Sequence, residues 1–357
     1  MERIKKLLKI MQEKDIDGFL ISSESNVTYL SGFTGDSSYL VVSPNGCIFF
    51  TDGRYTEQAE KECHKDIEVI KWLDNKRCDA KSYKYAVKAL KIKRLAFEGS
   101  QMPYSTYKSL SDELNEVELV PLNDIIEEIR MIKDREEIEA LKIACKISDK
   151  ALKLTIPYIR PGITEMELIA RLEYNLKSNG AQGLSFDTMI LSGPKTSLLH
   201  GKPDNKKLED GDYVLFDFGA LYNGYHADMS RTFILGNAND NQKELYNIIE
   251  KAEMEGIKAL KPGISCQLPD QKVREVIPEK YINYYYPGLG HGVGLDIHEN
   301  PRLSQDSKFK TEKNMTLTVE PGIYIPGWGG LRIEDTILIT EDSYEILNKF
   351  PRKLTIL

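Results

Sequence analysis

The chain has 357 residues, of which 41% are hydrophobic and 29% charged, and a formal net charge of -7. That length exceeds what one core usually serves and predicts two domains, while the acidic balance excludes an electrostatic attraction to nucleic acid or an anionic membrane. Five scattered cysteines without a CxxC pair predict a reducing, cytoplasmic compartment.

The first segment, MERIKKLLKIMQEKD, reads as an amphipathic helix rather than a signal peptide, and no run is long enough to span a bilayer. Strand candidates GFLISS, YLVVSP, CIFFTDG, IEVIKW, RLAFEG and VELVPL then alternate with helical stretches, which predicts an α/β N-terminal domain over residues 1–125. From 126 to 357 an α+β domain is expected. It opens on a long helix marked by Ile138, Leu141, Cys145, Ala151 and Leu152, and a second helix starts at Thr164 with Glu167 completing a capping box. Beyond Gly180 the chain reads as mostly strand, with one further helix over NQKELYNIIEKAEMEGIKAL.

Within DYVLFDFGALYNGYHADMSRTF, Asn223-Gly224 is a strong signal for a two-residue hairpin turn. Counting back from that turn puts Asp228 opposite Gly219 and Asp217 two residues further along the same face. The two aspartates then form a diagonal pair about 7–8 Å apart at the backbone. Gly219 is expected to leave the space between them empty. Their side chains would suit two divalent ions roughly 3.5–4 Å apart, against the alternative of unrelated turn or strand aspartates.

In MTLTVEPGIYIPGWGGLRIEDTILIT, Glu320 ends one alternating strand, and Glu334 lies within the next among Ile333, Ile337 and Ile339. A glutamate there needs a partner, either a metal or Arg332, which shares its face two positions earlier. His291 stands between Gly290 and Gly292, glycines expected to let the backbone approach a ligand. His298 reads as a second ligand, a donor to substrate or a structural histidine. His200 in SLLHGKP alone reads as a surface residue. His226 is expected to share the face of Asp228 in a pairing role near the turn, and Cys63 and His64 read as structural. Together Asp217, Asp228, His291, Glu320 and Glu334 make a hard, oxygen-rich set that needs cations if buried.

With these residues in this order, the chain resembles the pita-bread metallopeptidases, specifically the proline-specific branch of Xaa-Pro aminopeptidases and Xaa-Pro dipeptidases. The resemblance rests on SFDTMILSG, HGKP, DFGALYNGYHADMSRTF, GHGVGLDIHE, EPGIY and LRIEDT. It extends to NVTYLSGFTG, TDGRYTEQA and IRMIKDREEIEALKIAC, as in the accessory domain of that branch. It implies a creatinase-type N-terminal domain followed by a pita-bread catalytic domain.

The resemblance further implies two divalent ions on the five residues, with Asp228 and Glu334 bridging. Manganese is expected, and cobalt, zinc or iron tolerate the same ligands. Glu320 would accept and pass the proton, His298 would donate to the substrate carbonyl oxygen, and His200 would contact substrate. Arg332 would orient Glu334 or bind a substrate carboxylate, for which Arg302 is the other candidate. The implied substrates are short peptides with proline in second position, and the implied assembly is a homodimer.

An Xaa-Pro aminopeptidase is the first expectation and an Xaa-Pro dipeptidase the alternative. A non-catalytic module of the same fold would lack some of the ligands, all of which are present. The N-terminal domain argues against a methionine aminopeptidase. Leu289, where the family often has an aromatic residue, and the interior of FTGDSSYLVV depart from the pattern and bear on the shape of the substrate pocket.

Overall fold

A computed structural model describes residues 2–72 and 80–357, so Cys78 lies outside the described residues. The chain divides into two compact units, Met1–Arg130 and Met131–Leu357. The short helix Ile125–Arg130 belongs to the first of them, with Ile126 and Ile129 buried. Among the described residues no helix is long and apolar enough to cross a membrane.

The first unit is built on a six-stranded mixed sheet in the order Ile67–Lys71, Gly46–Thr51, Ser38–Ser43, Gly18–Ile21, Arg94–Glu98, Glu118–Leu122. Each strand matches a segment expected from sequence. Consecutive residues such as Phe19, Leu20 and Ile21, or Ile48, Phe49 and Phe50, are all buried. This is why those strands read as unbroken apolar runs: both faces of the sheet are covered.

In the second unit the expected helices form as Arg135–Thr155, Glu165–Ser178 and Asp240–Lys258. Each opens on a capping box: Asp134 with Glu137, Thr164 with Glu167, and Asn239 with Gln242. Two shorter helices, Leu268–Val276 and Glu279–Ile282, occupy a stretch expected to be extended or loop. The first buries only Pro269, Asp270 and Val273, too few apolar positions to show a helical period in the sequence.

Two β-hairpins hold the acidic residues. In one, Tyr213–Phe218 pairs antiparallel with Met229–Ile234, and Tyr222 faces Tyr225 across Asn223 (φ 48°) and Gly224 (φ 79°). Positive φ at both turn residues is the twist-compatible turn that Asn-Gly favours. Phe216, Phe218, Met229 and Phe233 pack one face of this hairpin on Leu168, Leu172 and Leu176 of the second helix.

That hairpin divides in the middle, Ala220–Tyr222 and Tyr225–His226 belonging to a second three-stranded sheet, and so does the other. Thr316–Val319 pairs with Asp335–Ile339 inside a five-stranded sheet, whereas Gly322–Ile325 pairs with Gly329–Arg332 as a separate two-stranded ribbon. Leu317, Val319, Ile323, Leu331, Ile333, Ile337 and Ile339 face a core shared with Leu245, Ile249 and Ile257. Alternation therefore turns Thr318, Glu320, Arg332 and Glu334 the other way.

Candidate metal centre

The register of the first hairpin is unbroken. Met229 faces Phe218, Ser230 faces Asp217, and the Ala227 N–H donates to the Ala220 carbonyl at 3.0 Å. Asp228 therefore lies opposite Gly219 and diagonal to Asp217, as counted from the turn. Gly219 has a different reason from the one expected, because a Cβ there would stand 1.8 Å from the Ala227 carbonyl oxygen. The glycine admits the partner strand rather than leaving a void between carboxylates.

In the second hairpin, Val319 pairs with Asp335 and Gly322 with Arg332. Continuing either register places Glu320 opposite Glu334. Glu334 is thus not inside a strand, as expected, but between two, where the sheet divides. The break occurs on both sides of the hairpin at the same level and frees two carboxylates from the ladder together.

His291 comes from the short strand Gly290–Gly292 and is 3% exposed. Its Nδ1 lies 2.9 Å from the Gly292 carbonyl oxygen. A carbonyl only accepts, so Nδ1 carries a proton and Nε2 is the ring nitrogen turned inward. Nε2 stands 3.5 Å from Asp228 Oδ2 and 3.3 Å from Glu320 Oε1. A ring nitrogen facing two carboxylates needs either a proton on it or a cation between them. The flanking glycines again serve backbone packing: Cβ atoms would lie 2.1 Å from the Thr318 carbonyl oxygen at Gly290 and 2.3 Å from that of Asn300 at Gly292.

Ligand atoms of Asp228, His291 and Glu334 all lie within 4.8 Å of one another. Asp217 and Glu320 flank this trio on the cavity side, with side-chain exposures of 19% and 24%. Burial, then the charge of neighbouring carboxylates, pushes Asp228 and Glu334 well above the usual carboxyl range. Burial also raises Asp217, partly offset by Arg332. Burial would raise Glu320 too, but the hydrogen bond and charge of His291, followed by Arg332, hold it below its ordinary value.

Four carboxylates thus face one guanidinium, and Glu334 Oε1 is buried without a hydrogen-bond partner. Such an orphaned anionic oxygen, among hard donors and beside an inward imidazole nitrogen, fits divalent cations.

Arg332 is 4% exposed and its donors are largely engaged. Nε donates to Ser230 Oγ at 2.7 Å, Nη1 donates to Tyr324 Oη at 2.7 Å, and Nη2 donates to Asp217 Oδ2. Its Nε is 3.9 Å from Glu334 Oε2. The arginine expected to pair with Glu334 is therefore bonded chiefly to Asp217.

Sequence reasoning missed Ser230, whose hydroxyl donates to Glu334 Oε2 at 2.6 Å and lies 3.3 Å from Asp217 Oδ1, joining the two hairpins. Its place opposite Asp217 follows from the same count that located Asp228. Tyr324 and Arg231 were also missed. Arg231 Nη1 donates to the Glu334 carbonyl at 2.6 Å, and Nη2 donates to Asp335 Oδ1 at 2.7 Å.

A cavity of about 620 Å³ opens over these groups, and His200, His298 and Arg302 line it with them. The His298 ring lies 4.5 Å from that of His291, and partial burial, followed by His291 and Arg302, pushes it down to about 4. His200 is exposed on its loop. Arg302 is exposed, sits across the strand pair from His291, and has no ion-pair partner among the described residues. His226 is apart from the cavity lining: its Nδ1 lies 2.8 Å from the Ser185 carbonyl oxygen and 3.0 Å from Ser185 Oγ, the pairing role expected near the turn.

An acidic centre on two hairpins, completed by a histidine between glycines, defines a metallohydrolase type of site. Residues 139–341 match metallopeptidase family M24, and residues 3–132 match the creatinase/prolidase N-terminal domain. The chain belongs to metallopeptidase family M24, and its fold is that of the creatinase-type pita-bread enzymes. It is 39% identical to an Xaa-Pro dipeptidase of Pyrococcus furiosus, covering 99% of each chain. An Xaa-Pro dipeptidase from Bacillus anthracis superposes with a TM-score of 0.96 at 38% identity, over 100% of this chain and 99% of that one. An X-Pro aminopeptidase from Thermotoga maritima superposes with a TM-score of 0.91 at 37% identity, over 99% of each.

Proposed function

We propose that this metallopeptidase hydrolyses Xaa-Pro bonds and that it is an Xaa-Pro dipeptidase, the alternative in the sequence reading rather than the aminopeptidase put first. The observation that carries the choice is Arg302, an exposed cation on the cavity wall beside His291 with no carboxylate partner among the described residues. A dipeptidase needs such a cation for the free C-terminal carboxylate of its substrate, and Arg332 is already bound by Asp217. Relatives named Xaa-Pro dipeptidase support the same choice, although an X-Pro aminopeptidase is a structural neighbour as well.

Asp217, Asp228, His291, Glu320 and Glu334 would hold two divalent ions, manganese being the first to test. When bound, such ions supply Lewis acidity toward the scissile carbonyl and make water a nucleophile near neutral pH. Glu320 accepts the proton of the attacking water and returns it to the leaving nitrogen of proline. His298 is neutral at pH 7 and donates a hydrogen bond to the carbonyl oxygen as charge develops there. His200 bounds the substrate on the opposite loop, and Arg302 takes the carboxylate.

The four described cysteines are free, in keeping with a cytoplasmic location. A homodimer rests on the family resemblance alone and is tested by light scattering. The decisive experiment offers the manganese-loaded chain an Xaa-Pro dipeptide and an Xaa-Pro-Yaa tripeptide. Turnover of the dipeptide alone is expected, equal turnover of both restores the aminopeptidase, and turnover of neither despite bound metal refutes the reading.

A further inference from the structure

Arg302 is not the only arginine on the cavity wall. Arg274, from the helix Leu268–Val276, also lines the cavity, and it is held by a purpose-built support. Its Nε donates to Asp270 Oδ2 at 2.8 Å, and its guanidinium carbon lies 4.9 Å from the centre of the Tyr285 ring. Asp270 is fully buried and also accepts from Tyr285 Oη at 2.8 Å and from Gln305 Nε2 at 2.6 Å. A buried carboxylate with three donors is a rigid anchor.

The anchor uses only one edge of the guanidinium. Among the described residues the two Nη groups of Arg274 make no hydrogen bond. Gln305, three residues beyond Arg302 in the chain, donates to the same Asp270 oxygen as Arg274, and all three residues line the same cavity. Asp306 lines that wall too, but it forms no ion pair with either arginine.

We infer that Arg274 is a specificity-determining residue that, with Arg302, reads the free carboxylate of the proline end of the substrate. An inference of this kind rests on the Xaa-Pro dipeptidase reading above. One exposed arginine discriminates weakly by itself, because solvent screens it and its side-chain freedom must be given up. A second guanidinium, oriented in advance by Asp270 and Tyr285, adds charge-assisted hydrogen bonds at little further entropic cost. In a tripeptide the carboxylate moves on by about 3.3–3.6 Å and a neutral amide takes its place. Two cations then face an uncharged group, which rejects the longer peptide.

The test compares Ala-Pro with Ala-Pro-amide as substrates of the manganese-loaded full chain, and L-proline with L-prolinamide as calorimetric ligands. Arg274→Met is expected to lower the acid-to-amide ratio of kcat/KM about tenfold, mainly through KM, and to weaken proline binding about tenfold more than prolinamide binding. Asp270→Asn with Arg274→Met removes both buried charge and cation and is expected to give the same ratios if the single variant folds poorly. Arg274→Lys is expected to recover part of the loss.

Equal losses for acid and amide would make Arg274 a structural residue and overturn the inference. If the unmutated chain turns over no Xaa-Pro substrate, the functional reading falls, and the proline and prolinamide affinities decide the arginine pair by themselves.

Discussion

Both acidic hairpins divide between two sheets, yet they place their carboxylates differently. The aspartate hairpin divides at Gly219 and Asp228 with its register kept on both sides, and it offers Asp217 from within the ladder diagonally to Asp228 in the division. The glutamate hairpin divides in the same way, and both Glu320 and Glu334 lie in its division, opposite each other. A carboxylate still in the ladder, such as Asp217, is positioned by alternation, whereas two that both lie in a division are directly opposed. Ser230 and Arg332 lock the two arrangements to each other.

The largest expected effect separates the fully buried members from the rest. Asp228→Asn in the first hairpin and Glu334→Gln in the second should each bring peptidase activity to background and lower bound manganese, measured by atomic emission after gel filtration. Retained activity in one but not the other would show that the hairpins contribute unequally. Gly219→Ala should next destabilise the aspartate hairpin by about 1–3 kcal/mol in urea unfolding, since its Cβ meets backbone that cannot yield. A neutral outcome would mean that the ladder is looser than its register implies.

Ser230→Ala removes the joint between hairpins and should weaken metal binding about 10–100-fold with a smaller loss of stability, as measured by competition with a chelator. For pH, the sign follows from the raised carboxyls of Asp228 and Glu334. A carboxyl raised on folding binds its proton more tightly in the native state, so metal-free stability falls as pH rises from about 4 through the raised native value. Urea midpoints of chelated protein should therefore fall as pH rises above about 4, and less steeply in Asp228→Asn. The smallest effect belongs to His298, whose ring resonances should stay those of neutral imidazole down to about pH 5 and titrate near 4.

The first hairpin was legible because its information is local. Asn223-Gly224 specifies the turn, and counting outward from it locates Asp228 against Gly219 without any other part of the chain. Helix starts at Thr164 and the strands of the first unit were legible for the same reason. The second hairpin has no such marker: MTLTVEPGIYI reads as one extended run, and only its assignment to two sheets reveals the division at Glu320. The helix Leu268–Val276 was hidden because a single turn of it is buried, and with it the anchor Asp270 for Arg274.

The sequence by itself determined the kinds of ligand, their order, the diagonal placement of Asp217 and Asp228 and the family the chain resembles. Only the tertiary structure decided that Arg332 is held by Asp217 and Ser230, that Arg302 and Arg274 remain open to the cavity, and that Glu320 faces Glu334. The physical reason is range. Turns, caps and alternation act over a few residues, whereas the Ser230–Glu334 hydrogen bond joins groups 104 positions apart, and which donors it consumes depends on the packing of two separate cores.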